Sequence, residues 1–134
     1  MATIKKFEDL DVWILARQIN LELIPHLNKL KETRNYELGN QLDSAAGSIM
    51  DNIAEGFERE GNKEFIQFLA IAKGSLAEVR SQLYRVKDRE LVKKEEFEEL
   101  QQKCLLLAGK LGAFISYLRN SEFKGNKFKE KDKK

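Results

Sequence analysis

The sequence predicts an all-α fold, an antiparallel up-down-up-down bundle of four helices with a left-handed twist. Three observations carry this reading. Between Phe65 and Leu118 apolar residues recur in alternating steps of three and four: Phe65, Leu69, Ala72, Leu76, Val79, Leu83 and Val86, then Phe97, Leu100, Cys104, Leu107, Leu111, Phe114 and Leu118. Each series is the seam of one helix. The two series mirror each other about Leu91–Val92, as they must if the chain reverses there and each seam residue meets a partner at its own height. A period of about 3.5 predicts the left-handed supercoil. Finally, one proline in 134 residues and 34% charged residues favour helices over sheets.

The first helix is expected over about residues 9–30, with Trp13, Ala16, Leu23, Leu27 and Leu30 on one face, widened by Val12, Ile19 and Ile24. Pro25 falls inside it, where the missing amide and the ring predict a kink near Leu21–Pro25. Asn35 is placed to cap the second helix, residues 36–60, with Glu37 in its first turn. That helix buries Leu38, Leu42, Ala45, Ile49, Ile53 and Phe57, with Ala46 and Met50 alongside. Gly61 reads as its stop and Asn62 as the cap of the third helix, residues 62–89. The fourth spans residues 94–120, with Glu95 and Glu96 at its positive end. Residues 1–120 thus form one bundle domain. Residues 121–134 lack a seam and read as a disordered lysine-rich tail.

The net charge of +2 is unevenly placed: the tail carries six lysines against Glu122, Glu130 and Asp132, leaving residues 1–120 slightly acidic. Charge alone therefore does not make the bundle a nucleic-acid binder. No apolar run is long enough to cross a membrane, and the opening Met-Ala-Thr-Ile-Lys-Lys is no secretory signal, so a cytoplasmic protein is expected. Cys104, the one cysteine, sits on the seam and is expected to be an inert buried thiol.

More apolar and small surface is present than one bundle needs. Leu105, Ala108, Gly112 and Ile115 form a second stripe on the fourth helix, and Ala70, Gly74 and Ala77 a smooth ridge on the third. Gly47, Gly56, Gly74, Gly109 and Gly112 lie inside helices, where each costs about 1 kcal/mol relative to alanine. Close helix approach is the usual compensation. The stripe is read as a self-association surface; the alternative is a wide core face in a monomer.

The densest run of unusual residues is Gln41 to Arg59, containing Asn52-Ile-Ala-Glu55-Gly56; Phe7 to Trp13 and Phe65 to Glu78, with Gly74-Ser-Leu-Ala-Glu78, accompany it. Together these resemble the four-helix-bundle family of 23S rRNA intervening-sequence proteins, over about residues 7–120. That family is similar in fold to accessory proteins of diversity-generating retroelements. The resemblance implies a homopentamer, with RNA, a reverse transcriptase or a ribonucleoprotein as partners, and no established enzymatic activity. Gln41, Asn52, Glu55, Gly56, Arg59, Gly74 and Glu78 carry the motif. The chain departs from the pattern at Asp43 and Ser44, where relatives are commonly basic. If the second and third helices reverse near Gly61, Ser44 lies opposite Glu78 and is expected to donate a hydroxyl bond to it. From the residues themselves the motif reads as structural: Glu55 and Arg59 have i, i+4 ion-pair spacing, Asn52 can bond its neighbours, and Gly56 admits a second backbone.

Catalytic constellations are not assembled. The single histidine, His26, lacks the Glu-x-x-His spacing of bundle iron sites, and is expected to pair at the surface with Glu22. No Cys–His or Ser–His pair and no phosphate-binding glycine loop is expected, so neither a cofactor, a metal nor an enzymatic activity is anticipated. The better candidate is electrostatic. Lys73, Arg80 and Lys87 are spaced by sevens in a row, with Tyr84 between the last two and Arg85 and Arg89 flanking it. Such a row can track phosphates while the tyrosine stacks on a base; the alternative is a solvated flank pairing with acidic helices. The expected function is a non-enzymatic, self-associating accessory protein for nucleic acid. The rival is a structural adaptor that takes a partner helix on the second apolar stripe.

Overall fold

The computed structural model describes residues 3–123. A single 3₁₀ turn, Phe7–Asp9, leads into four α-helices: α1 Asp11–Glu32, α2 Tyr36–Phe57, α3 Asn62–Asp88 and α4 Lys94–Phe123. Each helix packs on the next in sequence, and α1 also packs on α4, closing the four into an antiparallel up-and-down bundle. Short links force this arrangement, since a chain reversing within a few residues has no other neighbour to reach.

Burial follows the seams. Every seam residue of α3 and α4 is buried except Phe114, which is half-buried and stands edge-on to Phe65 with ring centroids 5.3 Å apart. Arg80 and Gln101 fix the α3–α4 register through two bonds: Gln101 Nε2 donates to the Arg80 carbonyl at 2.9 Å, and Arg80 Nε to Gln101 Oε1 at 3.4 Å. Tyr84 stands edge-on to Phe97 at 4.9 Å. Leu38, Leu42, Ala45, Ala46, Ile49, Ile53 and Phe57 of α2 are all buried, as the periodicity predicts. On α1 the buried face is Val12, Ala16, Ile19, Leu23 and Leu30; Ile24 does not widen it but is 48% exposed, turned outward with Ile14 and Leu21. Helix α1 continues through Pro25, which lies on its exposed face.

The links depart from the sequence reading. Two left-handed residues, Arg34 with φ 63° and Glu90 with φ 60°, end α1 and α3. After α1 the Asn35 amide donates to the Leu30 carbonyl at 2.7 Å and the Arg34 amide to Lys31 at 3.1 Å. After α3 the Leu91 amide donates to Val86 at 3.2 Å and the Glu90 amide to Lys87 at 2.8 Å. These paired bonds satisfy carbonyls that a helix end leaves open. The chain turns at Glu90, just ahead of the expected Leu91–Val92. Helix α2 stops at Phe57, before Gly61, and Gly61 instead occupies the N-cap position of α3. Asn62 is not the cap. It is buried in the first turn, where its Nδ2 donates to the Leu118 carbonyl of α4 at 3.2 Å. Asn35 does stand at the N-cap of α2, but its side chain bonds Thr33 and accepts from Arg89 Nη1 at 2.6 Å. Before α4 the Lys93 amide donates to Glu96 Oε1 at 3.4 Å, so the acidic first turn serves the helix start.

Ser121, expected in the tail, belongs to α4: it is buried and its hydroxyl donates to the Tyr117 carbonyl at 3.0 Å. The lysine-rich remainder, residues 124–134, lies outside the described residues. Glu22 does not pair with His26. Lys103 of α4 reaches across to Glu22, and also lies 3.5 Å from Glu99. The hydrogen bond to Glu22 raises the Lys103 pKa above its ordinary value. The Lys103 ammonium, from the neighbouring helix, takes the Glu22 carboxylate instead.

Candidate nucleic-acid interface

Helix α3 presents two basic flanks, because its seam faces the core and residues on either side of it turn toward different neighbours. On the α4 side lie Lys73, Arg80, Tyr84 and Lys87. Lys73 is exposed, and Arg80 is half-buried against Gln101. Lys87 Nζ stands 4.7 Å over the Phe97 ring, and Tyr84 is 52% exposed. On the α2 side lie Arg85, whose Nη1 donates to Gln41 Oε1 at 3.1 Å, and Arg89, held by Asn35. Lys73, Arg80 and Lys87 thus share one edge with Tyr84, while the flanking Arg85 and Arg89 face α2. The bundle divides them, four and two, between its α3–α4 and α2–α3 edges.

Between α3 and α4 runs an open groove of about 510 Å³ lined by Ala70, Lys73, Gly74, Leu76, Ala77, Arg80, Ala108, Gly112, Ile115 and Arg119. Three cations line it and no carboxylate does. Its floor is the small-residue ridge of α3 facing the second stripe of α4. Lys73 Nζ lies 3.6 Å from where a Cβ would stand on Gly112. Arg119, one turn past Ile115, was missed by the sequence reading; its i+7 spacing from Gly112 was the available signal. Of the proposed interface stripe, Leu105 is 51% exposed beside Leu106, Ala108 and Gly112 are half-buried, and Ile115 is buried within the bundle. The exposed apolar edge is Leu105–Leu106.

Of the motif residues, Gln41, Gly56 and Arg59 contact α3, while Asn52 and Glu55 bond along their own segment. Asn52 donates to the Ser48 carbonyl at 2.8 Å and to Ser48 Oγ at 2.9 Å, and Ser75 Oγ of α3 donates to the same Ser48 hydroxyl at 2.9 Å. Glu55 and Arg59 pair at 2.8 Å, with the Arg59 guanidinium 5.0 Å over the Phe68 ring. A Cβ on Gly56 would stand 2.6 Å from Phe68 Cβ, so glycine is required there by the helix approach. Gly47, Gly74 and Gly109 have nothing within 4 Å of a notional Cβ. Ser44 and Glu78 line one cavity, but the hydroxyl bond in it is Ser75 to Ser48, not Ser44 to Glu78.

Cys104 is fully buried, and desolvation pushes its thiol up to about 11, against a lowering by Arg80. Among the described residues no three His, Cys, Asp or Glu side chains come together as a metal site, and no helix is long and apolar enough to cross a membrane.

The 23S rRNA-intervening sequence protein family model matches residues 8–113, which takes in α1 to α3, most of α4 and the whole Gln41–Arg59 motif. The chain belongs to this family. Its fold is similar to that of a Bacteroides thetaiotaomicron protein of unknown function from the S23 ribosomal protein family, solved by crystallography. The TM-score is 0.73 at 20% identity, and the match covers 78% of this chain and 97% of that one. Comparison with curated proteins gives no match. Family membership thus accounts for the helical bundle and for the sequence motif. The cationic groove lies on α3 and α4, and Arg119 falls beyond the matched residues.

Proposed function

We propose that this chain is a non-enzymatic, self-associating accessory protein that holds RNA, free or within a ribonucleoprotein, by its phosphates along the α3–α4 groove. The observation that carries the reading is the lining of that groove: Lys73, Arg80 and Arg119 converge there with no carboxylate among them. In a protein whose folded body has almost no net charge, a local cluster of one sign is what gives anion affinity. The floor of alanine and glycine lets a sugar–phosphate strand approach the backbone. Tyr84, farther along the same flank of α3, supplies a half-exposed ring for a base. Leu105 and Leu106 offer the self-association edge. The homopentamer and the reverse-transcriptase partner implied by the family resemblance belong to this proposal.

The second reading, a structural adaptor, has one observation in its favour: two adjacent leucines more than half exposed on α4. Size-exclusion chromatography with light scattering, on protein purified without nuclease, tests both. A multiple of 15.5 kDa with co-eluting 260 nm absorbance supports the accessory reading. A 15.5 kDa species free of nucleic acid contradicts it.

A further inference from the structure

Arg80 differs from the other two cations that line the α3–α4 groove. Lys73 and Arg119 are exposed, whereas Arg80 is half-buried, and no carboxylate among the described residues forms an ion pair with it. A guanidinium drawn partly out of water without a counter-ion is costly unless its N–H groups find other partners. Gln101 of α4 supplies one. Its side chain is buried and holds Arg80 at two points: Nε2 donates to the Arg80 carbonyl at 2.9 Å, and Oε1 accepts from Arg80 Nε at 3.4 Å. Only Nε is engaged in this way. The two terminal nitrogens of Arg80 have no hydrogen-bond partner among the described residues.

We infer that Gln101 is a positioning residue for the groove: it presets the Arg80 guanidinium so that the two terminal nitrogens take the non-bridging oxygens of one phosphate. This rests on the reading of the groove as the RNA site. A free arginine samples many rotamers, and a ligand that captures it must first order it. A side chain already tied at Nε escapes most of that cost. With Nε occupied, the terminal pair is what remains, and its planar fork matches a phosphate with two parallel bonds. The neutrality of the amide matters as much as its reach. A carboxylate in the same place would hold the guanidinium more firmly but cancel its charge, removing one of the three cations of the groove.

Binding of a labelled single-stranded RNA to the full chain, read by anisotropy across a salt series, tests this. Gln101→Met removes both bonds at similar volume and leaves the Arg80 charge in place. Its affinity should fall roughly two- to tenfold, the cost of ordering one arginine, with the salt slope unchanged. Gln101→Glu keeps the acceptor for Nε but neutralises Arg80, so affinity falls and the slope flattens by about 0.7, one phosphate contact. In an Arg80→Met background, Gln101→Met should cost nothing further, whereas a glutamine that only packs would cost the same in both. Without RNA, the Arg80 Nε–H should exchange slowly in the native chain and faster in Gln101→Met. Native affinity in Gln101→Met, equal losses in the two backgrounds, or equal exchange of the Nε–H overturns the inference. The groove reading fails by a different result: Lys73→Glu/Arg119→Glu binding like the native chain leaves no phosphate for Arg80 to hold. Loss of binding there, with Gln101→Met unaffected, overturns the positioning role alone.

Discussion

The Lys73 ammonium of α3 lies 3.6 Å from where a side chain would begin on Gly112 of α4. That distance is ordinary van der Waals contact, so a methyl group fits but nothing larger does without moving the lysine. Gly112→Ala should therefore leave RNA affinity unchanged and stabilise the helix by up to about 1 kcal/mol. Gly112→Leu should fill the groove and lower RNA affinity severalfold without altering any charge. Urea unfolding and fluorescence anisotropy read the two effects.

Gly56 is the opposite case. The contacting atom there is Phe68 Cβ at 2.6 Å, fixed to the α3 backbone, so α2 and α3 must separate to admit a methyl group. Gly56→Ala gains helix propensity yet should lose about 1–3 kcal/mol net through overpacking. A melting temperature lower by several degrees is the expected outcome.

Arg34 and Glu90 hold left-handed backbone that costs a side-chain-bearing residue about 1–2 kcal/mol. Glycine adopts it freely but has more unfolded-state entropy to lose. Arg34→Gly and Glu90→Gly should each stabilise the bundle by about 0.5–1 kcal/mol, additively, since the two links are separate. Chemical denaturation of the single and double variants checks this.

Cys104 makes stability fall in alkali. Its thiol is raised from 9.0 to about 11, so the folded chain holds the proton more tightly than the unfolded chain. The benefit is complete below pH 9 and is lost as pH rises toward 11, with about 1.4 kcal/mol gone at pH 10. The stability difference between the native chain and Cys104→Ala should shrink by about that amount between pH 8 and pH 10. Lys103, raised by Glu22, contributes stability with the same sign, lost only above its ordinary 10.5, and affects both proteins alike.

The parts of the fold written in apolar period were legible from sequence. Leu76, Val79 and Leu83 against Leu100, Cys104 and Leu107 needed only the alternation of three and four, because burial is what that pattern encodes. The helix ends were not. Glycine at 61 suggested a stop, while the left-handed turns fall on arginine and glutamate, residues that give no local signal for φ near 60°. Cross-helix polar bonds, such as Asn62 to Leu118 and Gln101 to Arg80, depend on rotamers chosen by packing, which residue spacing does not reveal. The basic row was legible as charge at seven-residue spacing. The turning of Arg85 and Arg89 to the other edge was not, since it depends on which neighbour each flank of α3 meets, and Arg119 joins Lys73 only once α4 is folded back.

The groove reading is tested most directly by the salt dependence of binding to a labelled single-stranded RNA. Three phosphate contacts predict a slope of about −2 for log affinity against log salt, or roughly a 20-fold loss between 50 and 200 mM. In Lys73→Glu/Arg119→Glu, where both altered residues are exposed and Arg80 keeps its bonds to Gln101, affinity should collapse and the slope flatten. Binding of the same strength and slope in that variant would contradict the assignment of RNA to the α3–α4 groove.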